Sequence, residues 1–522
     1  MAMNKLISTL QKAEAFGHAV GEITLLETHI SWVILTGQFA YKIKKPVNFG
    51  FLDFSTLEKR RHYCKAELKL NKKLAPEIYL DVVPITGDES NARMDGEGEA
   101  IEYAVKMLEF PQDHQLDKVL AAGKLTLKHM RLLANRVATF HQNTELINNS
   151  DYGSPETIYA VAKENFTQIL EHIQSSLEKS LLQEQAKLDI EALHAWTRQS
   201  YSDLKLTFQK RKDSGYIRAC HGDMHLRNMA ILHDDIVIFD CIEFNDSLRF
   251  IDVMSEIAFV VMDLQFRGLT GYAMYFLNQY LSITGDYSGL KLLKYYLTYR
   301  AIVRAKVDIL QAEQNEKASA LVSEYNAYMA LANKFTQSHS PKLLITHGLS
   351  GSGKSTFTNG LLQYLPAIRL RSDVERKRLY DIDTLSRTHS SLGEGIYNAE
   401  ASEKTYKHLS TLAADILNAG WHVIVDVTFL KYSQRVRFLQ LAQNSGVDFI
   451  ILNFSAPESE LRQRIIARDK TGGDASEANL AVLKQQLRSQ EDLNAEELEY
   501  CFSITDNSDI SAKMVSEKLV GS

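Results

Sequence analysis

The segment at residues 347–355, HGLSGSGKS, constrains the fold most, because it matches the phosphate-binding loop pattern G-x-x-x-x-G-K-[ST]. The apolar run at 343–345 before it predicts a buried strand, and the periodic segment FTNGLLQYL after it predicts a helix. Strand, loop and helix in this order are the context in which such a loop binds the phosphates of a nucleotide. The motif therefore predicts an α/β domain that binds a nucleoside triphosphate at the edge of a parallel sheet.

The residue types of this loop suit its task. Glycines let successive backbone N–H groups turn toward the phosphates, Lys354 can reach the β- and γ-phosphates, and the Ser355 hydroxyl can hold Mg²⁺. We therefore expect ATP and Mg²⁺ as cofactors. The predicted nucleotide-binding residues here are Gly348, Ser350, Gly351, Ser352, Gly353, Lys354, Ser355 and Thr356.

Length and charge narrow the class of protein. A chain of 522 residues is long enough for two or three domains of roughly 100 to 200 residues each. The net charge is −6, and from residue 342 onward 21 Lys and Arg face 23 Asp and Glu, which argues against nucleic acid and anionic membranes as partners. The sequence has neither a secretory signal pattern nor a run of about 18 apolar residues, so we expect a cytoplasmic protein.

The chain divides where the helical pattern YNAYMALANKF gives way to the polar stretch TQSHSPK, which places one domain at 1–338 and a second at 339–522. In the first, residues 24–45 predict a hairpin with its turn at 36–38. Long helical patterns dominate after about residue 125. We expect a small strand-rich lobe followed by a larger helical lobe.

A second motif lies in the first domain, in HGDMHLRN and the following IVIFDCIEF. Asp223 stands five residues before Asn228, and Asp240 ends an apolar run twelve residues later, a spacing typical of a kinase catalytic loop and metal aspartate. The pattern resembles the aminoglycoside phosphotransferase group of kinases, whose loop reads H-G-D-x-x-x-x-N. The resemblance implies that Asp223 accepts the proton of the substrate hydroxyl, that Asn228 and Asp240 hold Mg²⁺, and that His221 orients the loop.

The same residues also allow other interpretations. His221 and His225, four apart, could bind zinc on a helix, but the intervening Gly222 argues for a loop. Asp223 alone could be a turn residue. Asp252 can support the catalytic loop, as a similarly placed aspartate does in the resembled family, or cap the helix that follows it, and both readings stay open.

A kinase of this type also needs a strand lysine for the phosphates and a helix glutamate to hold it. The strand FAYKIKKPV offers Lys42 and Lys44, which share one face, so periodicity does not separate them. We favour Lys44, because a basic pair followed by proline resembles the end of this strand in the phosphotransferases. Glu67 is the expected partner; the alternative is a solvent-facing carboxylate that bonds Asn71. No G-x-G-x-x-G loop precedes the strand.

The second domain offers further site residues. In LRSDVERKRL, at the carboxyl edge of the predicted sheet, Asp373 could orient or deprotonate an acceptor hydroxyl, and Arg371 or Arg376 could hold an anionic group. The apolar strand HVIVDVTF carries Asp426 to the same edge, where an aspartate can hold Mg²⁺ or its water.

Arg464 and Arg468 lie four apart before a glycine-containing loop, which suits a lid that supplies positive charge to the transition state. The alternative is a solvated helix face that pairs with Glu458 and Glu460. This domain resembles the predicted small P-loop kinases, which are similar to gluconate kinase, polynucleotide 5′-hydroxyl kinases and zeta-type toxins.

The whole chain resembles the bacterial proteins described as bifunctional aminoglycoside phosphotransferase and ATP-binding proteins. That resemblance implies a bilobal α+β protein-kinase-like domain followed by an α/β P-loop kinase domain with a parallel sheet. We expect an ATP- and Mg-dependent kinase with two nucleotide sites that phosphorylates an alcohol group of a small hydroxylated metabolite. Two alternatives remain: a nucleic-acid or nucleotide-sugar kinase acting through the second domain, and a nucleotide-dependent regulatory protein.

Overall fold

The chain packs into two compact units, and each is built from two separate stretches of sequence. The computed structural model describes residues 2–50, 52–148, 150–175, 181–312, 318–383, 395–471, 478–505 and 511–520. Unit 1 comprises Met1–Val161 and Phe208–Asp263, and unit 2 comprises Ala162–Thr207 and Leu264–Ser522. The division of the sequence near residue 338 stays a prediction about domains along the chain.

The first half of the chain contains the following elements. The strands are β1 (Thr24–Glu27), β2 (Ser31–Leu35), β3 (Phe39–Lys44), β4 (Tyr79–Thr86), β5 (Arg93–Met94), β6 (Ala100–Leu108), β7 (Ile217–Ala219), β8 (Met229–Leu232), β9 (Asp235–Ile238) and β10 (Phe250–Asp252). The helices are α1 (Ala2–Thr9), α2 (Leu57–Asn71), α3 (Leu116–Ala121), α4 (Leu127–Asn143), α5 (Pro155–Ser175), α6 (Leu181–Asp213), α7 (Val253–Phe266), α8 (Thr270–Thr284), α9 (Leu290–Ala312) and α10 (Ala318–Thr336).

Unit 1 is organised around an antiparallel sheet with strand order β1-β2-β3-β6-β4-β5. Strands β2 and β3 form the predicted hairpin, with Ser31 opposite Lys44. The segment before them forms a separate strand, because the Thr28 hydroxyl accepts the Ser31 N–H and turns the chain between β1 and β2. Strand β3 lies inside the sheet, so its lysines are surrounded by other elements of the unit.

The short strands of unit 1 carry the catalytic-loop motif. Strand β7 pairs with β10, and β8 pairs with β9 as a two-stranded ribbon. The HGDMHLRN segment connects β7 to β8, and Asp240 follows the end of β9. Two loops are thereby anchored on strands whose apolar residues, such as Ile217 and Val237, are buried.

Unit 2 contains the elements of the second half of the chain. The strands are β11 (Lys342–His347), β12 (Ala367–Arg371), β13 (His422–Asp426), β14 (Asp448–Ser455) and β15 (Cys501–Thr505). The helices are α11 (Lys354–Leu361), α12 (Ser372–Leu379), α13 (Ala399–Asn418), α14 (Tyr432–Ser445), α15 (Glu458–Thr471), α16 (Leu480–Ser489), α17 (Ala495–Leu498) and α18 (Ala512–Val520).

The strands of unit 2 form a parallel sheet in the order β12-β13-β11-β14-β15, as the sequence predicts. Strand β11 is central and its residues are all buried, which explains the continuous apolar run before the phosphate-binding loop. Because the strands are parallel, β11, β12 and β13 end at one edge of the sheet. The residues that follow them, including the loop at 348–353, lie along that edge.

Helices from before residue 338 complete unit 2 by covering the outer strand of its sheet. The Asn278 side chain on α8 accepts the Arg369 N–H at 2.7 Å and donates to the Ala367 carbonyl at 2.9 Å, so it pairs with β12 as another strand would. Trp421 donates its indole N–H to the Leu290 carbonyl on α9. Helices α8 and α9 therefore belong to the folded P-loop unit. None of the described helices is both long enough and apolar enough to cross a bilayer.

Candidate functional site

Unit 1 contains a buried cluster of two lysines and three carboxylates. Lys42 Nζ lies 2.9 Å from Glu67 Oε1 and also contacts Asp240. Lys44 Nζ lies 2.6 Å from Glu67 Oε2 and also contacts Glu243. Glu67 thus bridges both lysines. The two ends of the cluster differ in exposure, because the Asp240 side chain, which pairs with Lys42, is 45% exposed. The Glu243 side chain, which pairs with Lys44, is 3% exposed.

The charges of this cluster stabilise one another. Burial alone would lower the pKa of Lys44, but the carboxylates of Glu243 and Glu67 outweigh burial and raise it above its ordinary value. Burial would raise the pKa of Glu67, but Lys42 and Lys44 outweigh it and lower the pKa to about 2. Lys44 and Glu67 are therefore ionised at neutral pH, whereas burial raises the pKa of Glu243. Lys42 is the cation that reaches the solvent-facing end of the cluster.

Glu67 is fully buried and does not face solvent. Asn71 does bond to the residue four before it, but its Nδ2 donates to the Glu67 backbone carbonyl and not to the carboxylate. The Asn71 Oδ1 instead accepts the Cys241 N–H at 2.9 Å. Helix α2 thereby holds the segment that carries Asp240.

The predicted catalytic-loop residues come together after β7. Asn228 Nδ2 donates to Asp223 Oδ2 at 3.0 Å and to the Asp223 backbone carbonyl at 3.0 Å. His225 Nε2 lies 3.4 Å from Asp223 Oδ2. The Asp223 side chain is 35% exposed, so its carboxylate is held in place while remaining open to a substrate.

His221 is a structural residue of the loop. Its Nε2 donates to the Phe239 carbonyl at 2.9 Å, and its Nδ1 accepts the Asp223 N–H at 3.3 Å. Because a backbone N–H can only donate, this pair of bonds requires the neutral Nε2–H tautomer. Burial lowers the pKa of His221, which agrees with a neutral ring. The ring thus links the Asp223 loop to the strand end before Asp240.

Two buried carboxylates on α7, which sequence analysis did not identify, accept hydrogen bonds from the loop at 221–228. Glu256 Oε1 accepts the Gly222 N–H at 2.7 Å, and Glu256 Oε2 lies 2.8 Å from His141 Nε2. Asp263 Oδ2 accepts the Leu226 N–H at 2.9 Å. Both acids face the loop from a helix that is otherwise strongly apolar. Their seven-residue spacing in that apolar pattern is the signal that could have predicted them.

The glycine of the loop is required by the backbone. Gly222 has φ +91°, and a Cβ there would lie 2.8 Å from the Leu248 carbonyl oxygen. Asp252 follows the second of its two predicted roles: its Oδ1 accepts the Met254 N–H and thereby caps α7. Its carboxylate also forms a two-bond pair with Arg211, at 2.7 and 2.8 Å. Asp252 therefore fixes the start of the helix that carries Glu256.

Asp240 adopts an uncommon backbone conformation, with φ +64°. Its N–H donates to the Tyr79 hydroxyl at 3.1 Å. A residue other than glycine in the left-handed region costs about 1–3 kcal/mol, and such residues occur often at functional sites. Tyr79, which sequence analysis did not identify, thus helps to hold the Asp240 carboxylate toward Lys42.

In unit 2 the phosphate-binding loop follows β11. Its glycines Gly348, Gly351 and Gly353 have φ values of +142°, +85° and +89°. A Cβ at Gly348 would lie 2.5 Å from the Phe454 carbonyl oxygen, so only glycine fits there. The Ser350 N–H donates to Gln486 Oε1 at 2.9 Å, a contact that sequence analysis did not predict. A side-chain oxygen from α16 therefore bonds to a loop N–H of the kind that phosphate oxygens use.

Lys354 begins α11 and bends back over the loop. Its Nζ donates to the carbonyls of Gly348 at 2.9 Å and Leu349 at 2.7 Å. Burial lowers the pKa of Lys354 to about 8, against the opposing effects of Asp426 and Asp373. Those two carboxylates, both predicted site residues, are thus close enough to Lys354 to act on it electrostatically.

Asp426 ends β13 and is buried beside the start of α11. Its Oδ2 accepts a hydrogen bond from the Thr358 hydroxyl at 3.2 Å. Arg369 donates to that hydroxyl at 3.3 Å and to the Ser355 carbonyl at 3.1 Å. These bonds hold the Ser355 turn against the strand end that carries Asp426, which brings the two predicted Mg²⁺ ligands of this unit together.

A cavity of about 680 Å³ opens above this edge of the sheet. The predicted lid arginines contribute to its wall, and each already has a partner. Arg464 Nη2 lies 3.0 Å from Glu460 Oε2, and Arg464 Nη1 is 3.4 Å from the Gly351 carbonyl. Arg468 donates to the Ala478 carbonyl. The glycine-containing loop after α15 lies outside the described residues. The other predicted residues that line the cavity are Ser350, Gly351, Gly353, Lys354, Ser355, Thr356, Asp373, Arg376 and Asp426.

The side chains at both sites fit Mg-ATP. Mg²⁺ prefers oxygen ligands, and the two sites offer carboxylate, amide and hydroxyl oxygens from Asp240, Asn228, Ser355 and Asp426. The glycine-rich turn and the buried cation of Lys354 suit phosphate oxygens.

Two family models match separate parts of this chain. The model of the ecdysteroid kinase-like family matches residues 118–252, and that of an AAA domain matches residues 343–493. Uncharacterized proteins of Mycobacterium tuberculosis (strain H37Rv) and Mycobacterium bovis are each 28% identical over 464 residues, covering 88% of this chain and 89% of the relative.

Similar solved structures include a choline/ethanolamine kinase family protein from Mesorhizobium loti, with a TM-score of 0.41 and 9% identity, covering 64% of this chain and 95% of that one. The Mycobacterium tuberculosis APS kinase CysC has a TM-score of 0.26 and 18% identity, covering 35% of this chain and 96% of that one.

The predicted fold class is confirmed: a protein-kinase-like segment precedes a P-loop domain with a parallel sheet. The predicted enzyme class, a kinase, is confirmed as well. The motif at 221–228 and Asp240 lie in the first matched range, and the residues from Gly348 to Arg468 lie in the second.

Proposed function

We propose that this chain is a Mg-ATP-dependent phosphotransferase that phosphorylates hydroxyl groups of a small metabolite, with a separate nucleotide site in each unit. The observation that carries the proposal is that each unit has its own complete set of groups. Unit 1 has a phosphate cation, a carboxylate base and metal-ligand oxygens in Lys42, Asp223 and Asp240. Unit 2 has the corresponding groups in Lys354, Asp373 and Asp426.

In unit 1 we assign the phosphate-binding role to Lys42, with Glu67 holding it in place. Lys42 meets Asp240, whose carboxylate is half exposed, so this end of the cluster is open to a nucleotide. Lys44, which the resemblance to the phosphotransferases favours, has a 1% exposed side chain enclosed by Glu67 and Glu243. We therefore assign Lys44 to balancing those two carboxylates, a structural role.

Asp223 is the proposed base of unit 1. Its carboxylate is partly exposed, and Asn228 orients one of its oxygens. In that position it can accept the proton of an acceptor hydroxyl as the phosphoryl group is transferred. Bound Mg²⁺ supplies positive charge that offsets the charge of the phosphates, and Asp240 and Asn228 are the side chains that would hold it.

In unit 2 we assign Asp373 to the acceptor hydroxyl and Asp426 with Ser355 to the metal. Arg464 and Arg468 line the same cavity and can supply charge to the transferring group. The Arg464 contact with the Gly351 carbonyl supports this assignment, because it places the guanidinium beside the phosphate-binding loop.

Nucleotide stoichiometry on the full-length chain tests for two sites. Calorimetric titration with Mg-AMPPNP is expected to find two sites in the unaltered chain and one each in Lys354→Ala and Asp240→Ala. Each variant should keep the thermal transition of the unit that was not altered. Loss of both nucleotide sites from either single substitution would contradict the proposal that the sites are separate. A single site in the unaltered chain would contradict the proposal that a second nucleotide site exists.

ADP release from the full-length chain, measured against sugars, polyols, nucleosides and aminoglycosides, tests the acceptor class. ADP release that is stimulated by an acceptor of unit 1 should be lost in Asp223→Asn. ADP release that is stimulated by an acceptor of unit 2 should be lost in Lys354→Ala. Stimulation by 5′-hydroxyl oligonucleotides alone would favour the nucleic-acid kinase instead. A cytoplasmic location, where ATP is available, is part of the proposal and is tested by cell fractionation.

A further inference from the structure

Arg376 is a cation of the unit 2 cavity that neither the nucleotide site nor the fold accounts for. It lies on α12, three residues after Asp373, so the two side chains lie on neighbouring positions of one helix face. Both line the cavity. Helix α12 thus offers a carboxylate and a guanidinium to the same space.

The Arg376 guanidinium has no acceptor in the part of the chain that the structure describes. Its Nε is buried and makes no hydrogen bond. The guanidinium lies over the Tyr397 ring, whose centroid is 4.9 Å away. A ring face attracts a cation but does not use its N–H donors.

Neighbouring cations in unit 2 do have partners. Arg378, two residues along the same helix, pairs with the buried carboxylate of Glu375. Lys431, which also lines the cavity, lies 3.0 Å from a Glu491 carboxylate oxygen. Taking a cation out of water without an anion is costly, so a partly buried and unpaired arginine in a cavity is a place where a ligand anion is favoured.

Arg376 and Asp373 lie on α12, which follows β12, whereas the phosphate-binding loop follows β11. Burial lowers the pKa of Lys354, and the charges of Asp426, Asp373 and Arg468 also act on it. Because Asp373 and Arg376 lie three residues apart on α12 and both line the cavity, a ligand whose hydroxyl contacts Asp373 can extend toward Arg376.

We propose that the acceptor of the unit 2 site carries an anionic group, a carboxylate, sulfate or phosphate, in addition to its hydroxyl, and that Arg376 binds that group. The inference rests on the proposed function of this cavity in phosphoryl transfer. In that reaction the acceptor oxygen forms a bond to the γ-phosphorus, the bond from that phosphorus to ADP breaks, and the hydroxyl proton passes to Asp373. Arg376 takes no part in these bond changes and determines which hydroxyl compound binds.

Matched acceptor pairs test the proposal by activity. ADP release by the full-length chain is measured with gluconate against glucose, glycerate against glycerol, and nucleoside 5′-monophosphates against nucleosides. The ionised member of an accepted pair should have at least a tenfold higher kcat/KM. Arg376→Gln should raise its KM at least tenfold and leave kcat within a few-fold. Arg437→Gln, which removes an arginine with a 33% exposed side chain that pairs with Glu403 in the same unit, should leave both unchanged.

A binding measurement decides the matter even where no acceptor is found. With Mg-AMPPNP saturating and ionic strength constant, equilibrium dialysis of radiolabelled inorganic sulfate should detect one sulfate per chain in the unaltered protein. Arg376→Gln should weaken that binding at least tenfold, and Arg437→Gln should retain it. Preference for neutral acceptors, or sulfate binding that is absent or equal in Arg376→Gln, overturns the proposal. Failure of Mg-AMPPNP to bind at all would refute the proposed function instead, and the sulfate comparison would still decide on Arg376.

Discussion

Replacing Lys42 and Lys44 separately by methionine should separate catalysis from stability, although the two lysines stand two residues apart on one strand. Methionine keeps most of the length of the side chain and removes its charge. Lys44→Met leaves the buried carboxylate of Glu243 without the cation that pairs with it, and it leaves Glu67 with Lys42 alone. Lys42→Met leaves Glu67 paired with Lys44. The Asp240 carboxylate loses its contact with Lys42, but water reaches it.

The magnitudes follow from this difference in burial. Breaking a buried ion pair costs about 3–5 kcal/mol, and we apply that figure to Lys44→Met. Losing a hydrogen bond to a charged group costs about 1.5–3 kcal/mol, which is the range for Lys42→Met. For a unit of this size each kcal/mol lowers Tm by about 2–4 °C, so the Lys44→Met transition should fall by about 6–20 °C.

For turnover the order should be reversed, so that Lys42→Met has the larger effect and Lys44→Met the smaller. Lys42→Met removes charge from the transferring phosphates, so phosphorylation by unit 1 should fall by about 10²–10³-fold in kcat. Lys44→Met at a temperature well below its transition should keep turnover within about tenfold, because Lys42 and Glu67 remain.

Differential scanning calorimetry on the full-length chain and ADP release with a unit 1 acceptor, at 15 °C, measure the two quantities. The unit 2 transition serves as an internal control in both variants. Turnover lost in Lys44→Met but retained in Lys42→Met would refute our assignment and restore Lys44 as the phosphate lysine. Equal losses of Tm would refute the argument from burial.

Three further predictions concern the two sites. Because burial lowers the pKa of Lys354 to about 8 and phosphate needs its charged form, ATP affinity of unit 2 should fall about tenfold between pH 7 and pH 9, whereas Lys354→Arg should show a flat profile by calorimetry. Gln486→Ala should strengthen nucleotide binding by up to about tenfold, since the Ser350 N–H loses a competing acceptor worth about 0.5–1.5 kcal/mol; weaker binding would show instead that Gln486 contacts the nucleotide. Asp223→Asn should abolish transfer by unit 1 and leave its Mg-ATP affinity within a few-fold, and unchanged transfer would exclude Asp223 as the base.

Short motifs made much of this site predictable from the sequence. The loop from Gly348 to Ser355 and the segment from His221 to Asn228 each place their functional groups within one turn or loop, where chain connectivity alone brings them together. The parallel sheet followed from the same information, because a phosphate-binding loop needs a buried strand before it and a helix after it.

The other contacts of the site could not be predicted, because they join segments that are distant in the sequence. Lys42 and Lys44 share a strand face, so only the positions of Glu243 and Asp240 separate them, and these lie about 200 residues further along the chain. The contacts of Glu256 with the Gly222 N–H and of Gln486 with the Ser350 N–H are of the same kind. A periodic pattern identifies a buried face but does not identify its partner.

The pairing of Asn278 with the outer strand β12 has a consequence for how such a chain can be divided or recombined. A gene fragment that starts at residue 339 encodes the whole parallel sheet but not the helix whose side chain satisfies that strand, so its product should expose an open sheet edge and self-associate. A fragment that starts near residue 264 retains the covering helices. For the same reason, recombination at the polar stretch near residue 338 would transfer the P-loop domain without helices α8 and α9, which cover its outer strand. The two halves of this protein are therefore expected to be inherited together.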